Sequence, residues 1–220
     1  MNRRTVAAAC LAASPLLVSL SHFLWPAHSE GTDAEQIAAA GTHAAAWAAA
    51  TIVETVGWVL LVPALFALWQ EARARGRVLT GVGVWLAIAG IFGYYGAGLM
   101  NLVTIEVGRH QNNPSGVALV QAMKHDPALF WMLVAPLLLG TLAFALVFAG
   151  LARAGWIGWW APAAVFVGLI ASQALSASDN PLLLTAAFAP LTVTFVVAAA
   201  RLAGLRPAPL DAPAPAYAVT

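Results

Sequence analysis

Six long apolar runs, separated by short polar or basic segments, dominate the hydrophobic pattern of the chain. About 20 apolar residues in a helix cross the hydrocarbon core of a bilayer, and most of the runs reach that length. For the first run, this length and the lack of a small-x-small cleavage site favour a retained span over a signal peptide. The pattern therefore predicts six transmembrane helices, over residues 5–25, 43–69, 78–101, 127–151, 161–176 and 182–203.

The composition supports an all-α, polytopic membrane protein. Of the 220 residues, 61% are hydrophobic and only 9% are charged, whereas soluble domains carry roughly 25% charged residues. The net charge of +1 gives no reason to expect a nucleic-acid partner. We therefore expect one six-helix domain over residues 1–204, followed by a disordered, Pro/Ala-rich tail over residues 205–220.

Two short helices are predicted outside the spans. Thr32 and Glu35 have the spacing of a capping box, in which the hydroxyl and the carboxylate satisfy free amides at a helix start. A short interfacial helix that ends at Gly41 follows from this motif. The amphipathic segment VALVQAMK, residues 117–124, should form a second surface helix within the loop predicted over residues 102–126.

The basic residues predict the orientation. With six spans and a cytoplasmic amino terminus, eight of the ten Lys and Arg residues fall on the cytoplasmic side, as the positive-inside rule requires. We therefore expect a multi-pass plasma-membrane protein with both termini in the cytoplasm and both short helices on the outer face. The eight cytoplasmic residues are Arg3, Arg4, Arg73, Arg75, Arg77, Arg153, Arg201 and Arg206.

The second apolar run carries one carboxylate, Glu54, near its middle. At helical spacing, one face of this run holds His43, Trp47, Thr51, Glu54 and Trp58. A carboxyl group is costly to bury in a bilayer, so an acid at this depth predicts a functional site that faces the bundle interior. Glu54 would donate a proton or anchor the polar end of a ligand between the tryptophan walls.

Polar residues of other spans are expected near Glu54. Tyr94 and Gln173 are candidate ligand contacts; in a purely structural alternative, a protonated Glu54 would hydrogen-bond such a neighbour and hold two helices together. Asp179 is a candidate second catalytic acid, although local bonding in its Asp-Asn-Pro turn also explains it. We expect no cofactor, because the chain has no phosphate-binding glycine loop and no His pair deep in two spans.

One group of residues has ligand types that suit a divalent metal. Glu106 and His110 are four residues apart, and His125 lies in the same predicted loop. The chain has no HExxH motif and no paired cysteines. A solvated loop face is the favoured interpretation, and no metal site is predicted.

Two resemblances accompany these patterns. The segments LLVPALFALWQEARARGR (60–77) and HDPALFWMLVAPLLLGTLAFALVFAGLARAGWIGWWAP (125–162), with the Gly-rich run between them, resemble small actinobacterial membrane proteins of unknown function. That resemblance implies a six-helix fold and no activity. The chain is also similar to integral-membrane terpene cyclases, which protonate an isoprenoid with an intramembrane acid, here Glu54, with Asp179 as the second acid. Their N-x-x-W-E signature is replaced here by ATIVE, residues 50–54.

The leading hypothesis is an outward-opening intramembrane pocket for an amphipathic lipid or isoprenoid-like molecule, anchored or protonated by Glu54. Its enzymatic form would be an acid-initiated cyclase or isomerase. The alternatives are a transporter's membrane subunit with a partner subunit, and a structural accessory subunit. The expected partners are membrane lipids, and a homo-oligomer is a further alternative.

Overall fold

The structure is a computed structural model that describes residues 2–26, 32–72, 75–110, 114–175 and 180–204, without the side chains of residues 130, 133, 134, 137 and 141. Within these ranges the chain is all-helical. The helices are α1 (Arg3–Leu24), α2 (Asp33–Thr42), α3 (Ala44–Glu71), α4 (Arg77–Arg109), α5 (Pro114–His125), α6 (Pro127–Arg153), α7 (Trp160–Ala174) and α8 (Pro181–Leu202).

Four of these helices, α1, α3, α4 and α8, are long and apolar enough to cross a membrane. The prediction of an all-helical chain with several membrane-length helices is therefore confirmed. The apolar stretches described in the other two predicted spans are shorter: Leu138–Arg153 in α6 and Trp160–Ala174 in α7. At 1.5 Å per residue, α7 is about 22 Å long, less than the roughly 30 Å of a hydrocarbon core.

The six apolar helices form a closed ring in which each helix packs against two neighbours. The order around the ring is α1, α3, α4, α6, α7 and α8, and α8 packs back on α1. Aromatic rings from α3, α6 and α8 meet in the core, where the centroid of Phe144 lies 6.0 Å from those of Trp58 and Phe195. At one end, the Arg4 guanidinium lies 2.8 Å from the Glu71 carboxylate and joins the start of α1 to the end of α3.

Glycines allow the close approach of α4 and α6. Gly83 and Gly90 are seven residues apart, so they lie on the same side of α4. A Cβ at Gly90 would overlap the Cα of Gly140 and lie 3.0 Å from the Pro136 carbonyl oxygen, and a Cβ at Gly83 would lie 2.7 Å from the Val147 nitrogen. The two backbones can meet only because side chains are missing at these positions.

Side-chain caps begin four of the described helices, including α1, where Asn2 Oδ1 accepts from the Arg4 amide. The predicted capping box is confirmed: the Thr32 amide donates to Glu35 Oε2 at 2.6 Å, and the Glu35 amide donates to Thr32 Oγ1 at 3.4 Å. Asp126 accepts the first free amides of α6, and Asn180 accepts those of α8. These local bonds satisfy amides that have no partner inside the helix.

The loop predicted over residues 102–126 is wrong at its start, whereas its end at Asp126 and the surface helix within it are confirmed. Helix α4 continues by two turns to Arg109, and α5 already begins at Pro114. One face of the α4 extension is buried: Ile105 packs with Ala40 of α2, and a Cβ at Gly108 would overlap the Ile37 carbonyl oxygen. The contact with α2 keeps this segment helical.

A polar bridge joins α2 and α5 at the end of the ring where α4 finishes. The Asp33 carboxylate lies 3.0 Å from Lys124 Nζ and 3.0 Å from His125 Nε2, and Lys124 also donates to Gln36. The hydrogen bond from Lys124, followed by that from His125, holds the pKa of Asp33 below its ordinary value. The bridge is partly exposed, with 28% of the Asp33 side chain accessible to solvent.

The Asp33 bridge predicts an acid-sensitive attachment of α2. Aspartate in an unfolded chain titrates near pH 4. The folded pKa of Asp33 is lower, so the bridge contributes its full stability above about pH 4 and loses it as the pH falls through the folded pKa. We expect Asp33→Asn to destabilise the attachment by less than about 1 kcal/mol, because the pair is partly exposed. Hydrogen–deuterium exchange of the α2 amides should show faster exchange in the variant at pH 7, and the difference should shrink as the pH falls below about 4.

Glu106→Gln is the control for this prediction. Glu106 pairs with Arg109 and His110 on the end of α4 and does not contact the Asp33 bridge. Its loss should leave exchange in α2 unchanged. If the α2 amides of Asp33→Asn and of the wild type exchange equally slowly at pH 7, the bridge contributes nothing to the stability of the α2 attachment.

Candidate functional site

A cavity of about 160 Å³ lies between α3 and α4. Its walls are one stripe from each helix, with the three- and four-residue spacings that put side chains on one helical face. Among the described lining residues, Glu54 is the only Asp, Glu, Lys, Arg or His. The lining residues are Thr51, Glu54, Thr55 and Trp58 from α3, and Tyr94, Ala97, Gly98 and Asn101 from α4.

Two indole groups lie near the carboxyl of Glu54. They belong to Trp58, one turn further along α3, and to Trp25, which ends α1. The Trp58 Nε1–H is buried and does not form a hydrogen bond of normal geometry with Glu54 or any other described group. Glu54 itself is half-buried, so its carboxyl keeps contact with the cavity.

The ring of Trp58 is the aromatic centre of the bundle. It stacks on Tyr94 with a centroid distance of 4.1 Å and an interplanar angle of 16°. Phe144 lies near-parallel at 6.0 Å, and Phe188 meets the ring edge-on at 6.4 Å. With only 4% of Trp58 exposed, little of its ring face is open to the cavity.

Unsatisfied polar atoms mark the cavity. In the described ranges, four buried side-chain atoms have no hydrogen-bond partner, and two of them, Thr51 Oγ1 and Trp58 Nε1, belong to lining residues. The other two, His22 Nδ1 and Thr185 Oγ1, lie on α1 and α8. Since most buried polar groups in proteins are hydrogen-bonded, the two lining atoms are available to a ligand or to water in the cavity.

The structure brings four of the predicted site residues together: Thr51, Glu54, Trp58 and Tyr94. Three others do not line the cavity. Trp47 packs edge-on against Trp25 with a centroid distance of 4.9 Å; His43 is exposed at the junction of α2 and α3, and Gln173 is exposed on α7. Asp179 lies outside the described residues.

Sequence reasoning missed Thr55, Ala97, Gly98 and Asn101. The spacing of Tyr94, Gly98 and Asn101 is helical, so this stripe was visible once its helix was known to face Glu54. Gly98 lets α3 come close, because a Cβ there would lie 2.8 Å from Thr55 Oγ1.

The candidate metal ligands have other partners. Glu106 lies 3.2 Å from His110 Nε2 and also 3.2 Å from Arg109, whereas His125 pairs with Asp33 on α2. Among the residues that the structure describes, no three His, Cys, Asp or Glu side chains are grouped as a metal ion would need.

No protein-family model, no curated protein and no solved structure matches this chain.

Proposed function

We propose that the Glu54 cavity binds the polar end of an amphipathic lipid or isoprenoid-like molecule. The observation that carries this proposal is the carboxyl of Glu54 beside two buried polar atoms that lack partners, Thr51 Oγ1 and Trp58 Nε1. Each such atom costs about 1–3 kcal/mol when unsatisfied. A polar head group in the cavity would bond Thr51 Oγ1 and Glu54, and the carboxyl held in this way would accept from the Trp58 N–H.

The surface beside the cavity suits an apolar tail. Ile52 and Val56 on α3, and Leu99 and Leu102 on α4, are exposed on the same turns as the lining residues. In a bilayer these side chains face acyl chains. A ligand anchored at Glu54 could therefore keep its tail among the lipids.

The size of the cavity favours anchoring over enclosure. Pockets that enclose a whole small molecule measure about 300–1,000 Å³, and this cavity measures about 160 Å³. It holds a head group but not a complete isoprenoid. The size therefore supports binding of one end of the ligand over an acid-initiated cyclase or isomerase.

The proposal includes the orientation in the membrane. All six helices of the ring span the plasma membrane, and both termini are cytoplasmic. The cavity then lies in the outer half, below α2 and α5, and opens outward. The ring order and the arginine distribution support this arrangement. Labelling of single cysteines introduced into α2 and into the 75–77 turn, from outside intact cells, tests it: only the α2 cysteine should react.

Glu54→Gln tests the proposed function. The amide keeps the shape of the side chain but loses the negative charge and one acceptor. We expect native mass spectrometry of the wild-type protein, purified in a mild detergent, to show a bound amphiphile that is absent or at least about 10-fold depleted in the variant. Circular dichroism should show equal helix content in both proteins.

The matched control is Glu106→Gln, which removes a carboxylate from the exposed end of α4. It should keep the wild-type amphiphile. If Glu54→Gln retains the same amphiphile at the same occupancy, the proposed function is wrong. If it only lowers the unfolding temperature, Glu54 has the structural role of holding helices together.

A further inference from the structure

The charge around the cavity is unbalanced. No Lys, Arg or His lines it, and no ion pair joins Glu54 to a basic group in the described part of the chain. Of the Lys and Arg residues at the end of the ring where α2 and α5 lie, Lys124 pairs with Asp33 and Arg109 pairs with Glu106, while His22 on α1 does not line the cavity. An ionised carboxyl inside an apolar bundle is unfavourable without a counter-charge. A cationic ligand would supply that charge.

The polar atoms of the cavity suit a donor-rich cation. A primary ammonium group has three N–H donors and no acceptor. The cavity offers the Glu54 carboxylate, the unpartnered Thr51 hydroxyl and the amide oxygen of Asn101. The indole N–H groups of Trp25 and Trp58, which lie near Glu54, would then donate to its ionised form. In a salt bridge between Glu54 and an ammonium, the Thr51 and Asn101 oxygens would accept from the ammonium, and the two indoles would donate to the carboxylate.

The aromatic rings argue against a quaternary ammonium. Such a group has no N–H and is recognised by open aromatic faces. Here Tyr94 covers a face of Trp58 at 4.1 Å, and Phe144 and Phe188 surround the rest of the ring. The cavity presents oxygen acceptors where a quaternary-ammonium site would present ring faces.

We infer that the head group bound at Glu54 is a primary ammonium. This inference rests on the proposed function and narrows its ligand to an amine-bearing amphiphile. Glu54 forms the ion pair, and Thr51 accepts a second N–H. The same chemistry could come from a membrane lipid with an amino head group or from a water-soluble amine.

The test compares three probes that share one alkyl tail: dodecylammonium, dodecyltrimethylammonium and dodecanol. The full-length protein is placed in phosphatidylcholine nanodiscs, which contain no primary amine, and calorimetry is referenced to empty nanodiscs. We expect dodecylammonium to bind about 10-fold tighter than either other probe. Removing one partner of a buried charge pair greatly reduces the binding free energy. Glu54→Gln should therefore weaken the binding of dodecylammonium about 30-fold.

A second variant tests the acceptor role of Thr51. Thr51→Val keeps the branched shape and removes the hydroxyl, and it should weaken dodecylammonium binding about 10-fold, as expected for a hydrogen bond to a charged group. Its control is Thr104→Val on α4, which removes a hydroxyl that bonds the Met100 carbonyl oxygen away from the cavity. Thr104→Val and Glu106→Gln should both bind the probe as the wild type does.

The outcomes separate this inference from the proposed function. Equal, Glu54-dependent binding of dodecanol or dodecyltrimethylammonium would overturn the primary ammonium and keep an amphiphile site. Dodecylammonium binding that Glu54→Gln leaves unchanged would overturn the inference, and so would a lack of dodecylammonium binding. A lack of Glu54-dependent binding by all three probes would overturn both. Displacement by methylammonium at equal concentration would keep the ammonium and reject the amphiphilic ligand.

Discussion

Trp58→Ala is expected to lower the free energy of unfolding by about 3 kcal/mol. Trp58 is 4% exposed and contacts rings from three other helices: Tyr94, Phe144 and Phe188. Removing a buried Trp side chain costs about 3–5 kcal/mol in soluble proteins, partly from lost transfer energy and partly from the cavity left behind. In a membrane the transfer part is smaller, because lipid is also apolar. We therefore expect the lower end of that range.

Unfolding by sodium dodecyl sulfate in mixed micelles measures this change. The control is Trp85→Ala, because Trp85 is 58% exposed on the outside of α4 and makes an edge contact with Phe66. It should cost well under 1 kcal/mol. Similar losses in both variants would mean that Trp58 does not hold the ring of helices together. Trp58→Phe, which keeps an aromatic ring and removes the N–H, should recover most of the stability.

Gly90→Leu is expected to separate α4 from α6 and to destabilise the protein by about 3 kcal/mol or more. The added Cβ would overlap the Cα of Gly140, and neither atom can move without a shift of its helix. Overpacking a well-fitted interface typically costs about 1–3 kcal/mol, and a backbone clash belongs at the top of that range. The same unfolding titration measures the loss, and a lower yield of folded protein should accompany it.

Ala89→Leu is the matched control, since it adds a larger side chain at the neighbouring, exposed position of α4. It should change stability by less than about 0.5 kcal/mol. Gly90→Ala should fall between the two variants, because it adds the clashing Cβ and nothing more. If Gly90→Leu were as stable as Ala89→Leu, the close contact of Gly90 with Gly140 would be refuted.

The substitutions Trp58→Ala and Gly90→Leu should both change the surroundings of the cavity. Tyr94 and Gly98, which line the cavity, follow Gly90 by one and two turns on α4. The position of α4 against α6 therefore helps to set where Tyr94 stands relative to Trp58. A shift of α4 would open or close the space beside Glu54. The contact between α4 and α6 therefore helps to set the shape of the cavity beside Glu54.

Local features were predictable from the sequence because they depend on neighbouring residues. The capping box of Thr32 and Glu35 needs only its own four residues, and the apolar runs need only their length. The stripe of Thr51, Glu54 and Trp58 follows from helical geometry, whatever else surrounds the helix. The costly position of Glu54 singled out this stripe.

Other features depended on contacts between distant segments. The loop predicted after residue 101 is helical to Arg109 because Gly108 packs on α2. Trp47 shares a predicted face with Glu54, yet it packs on Trp25 and a small cluster around Ile105. Neither result follows from the residues next to it in the chain.

The sequence by itself determined that this is an all-helical, membrane-type chain and that Glu54 is its exceptional residue. Hydrophobic run length and the cost of a buried carboxyl are properties of single segments, so they can be read locally. The tertiary structure alone decided that the Glu54 stripe faces Tyr94, Gly98 and Asn101, and that Gln173 lies elsewhere. The rotation of one helix against another is set by which side chains, or missing side chains, interlock across the contact, and that information is divided between distant parts of the chain.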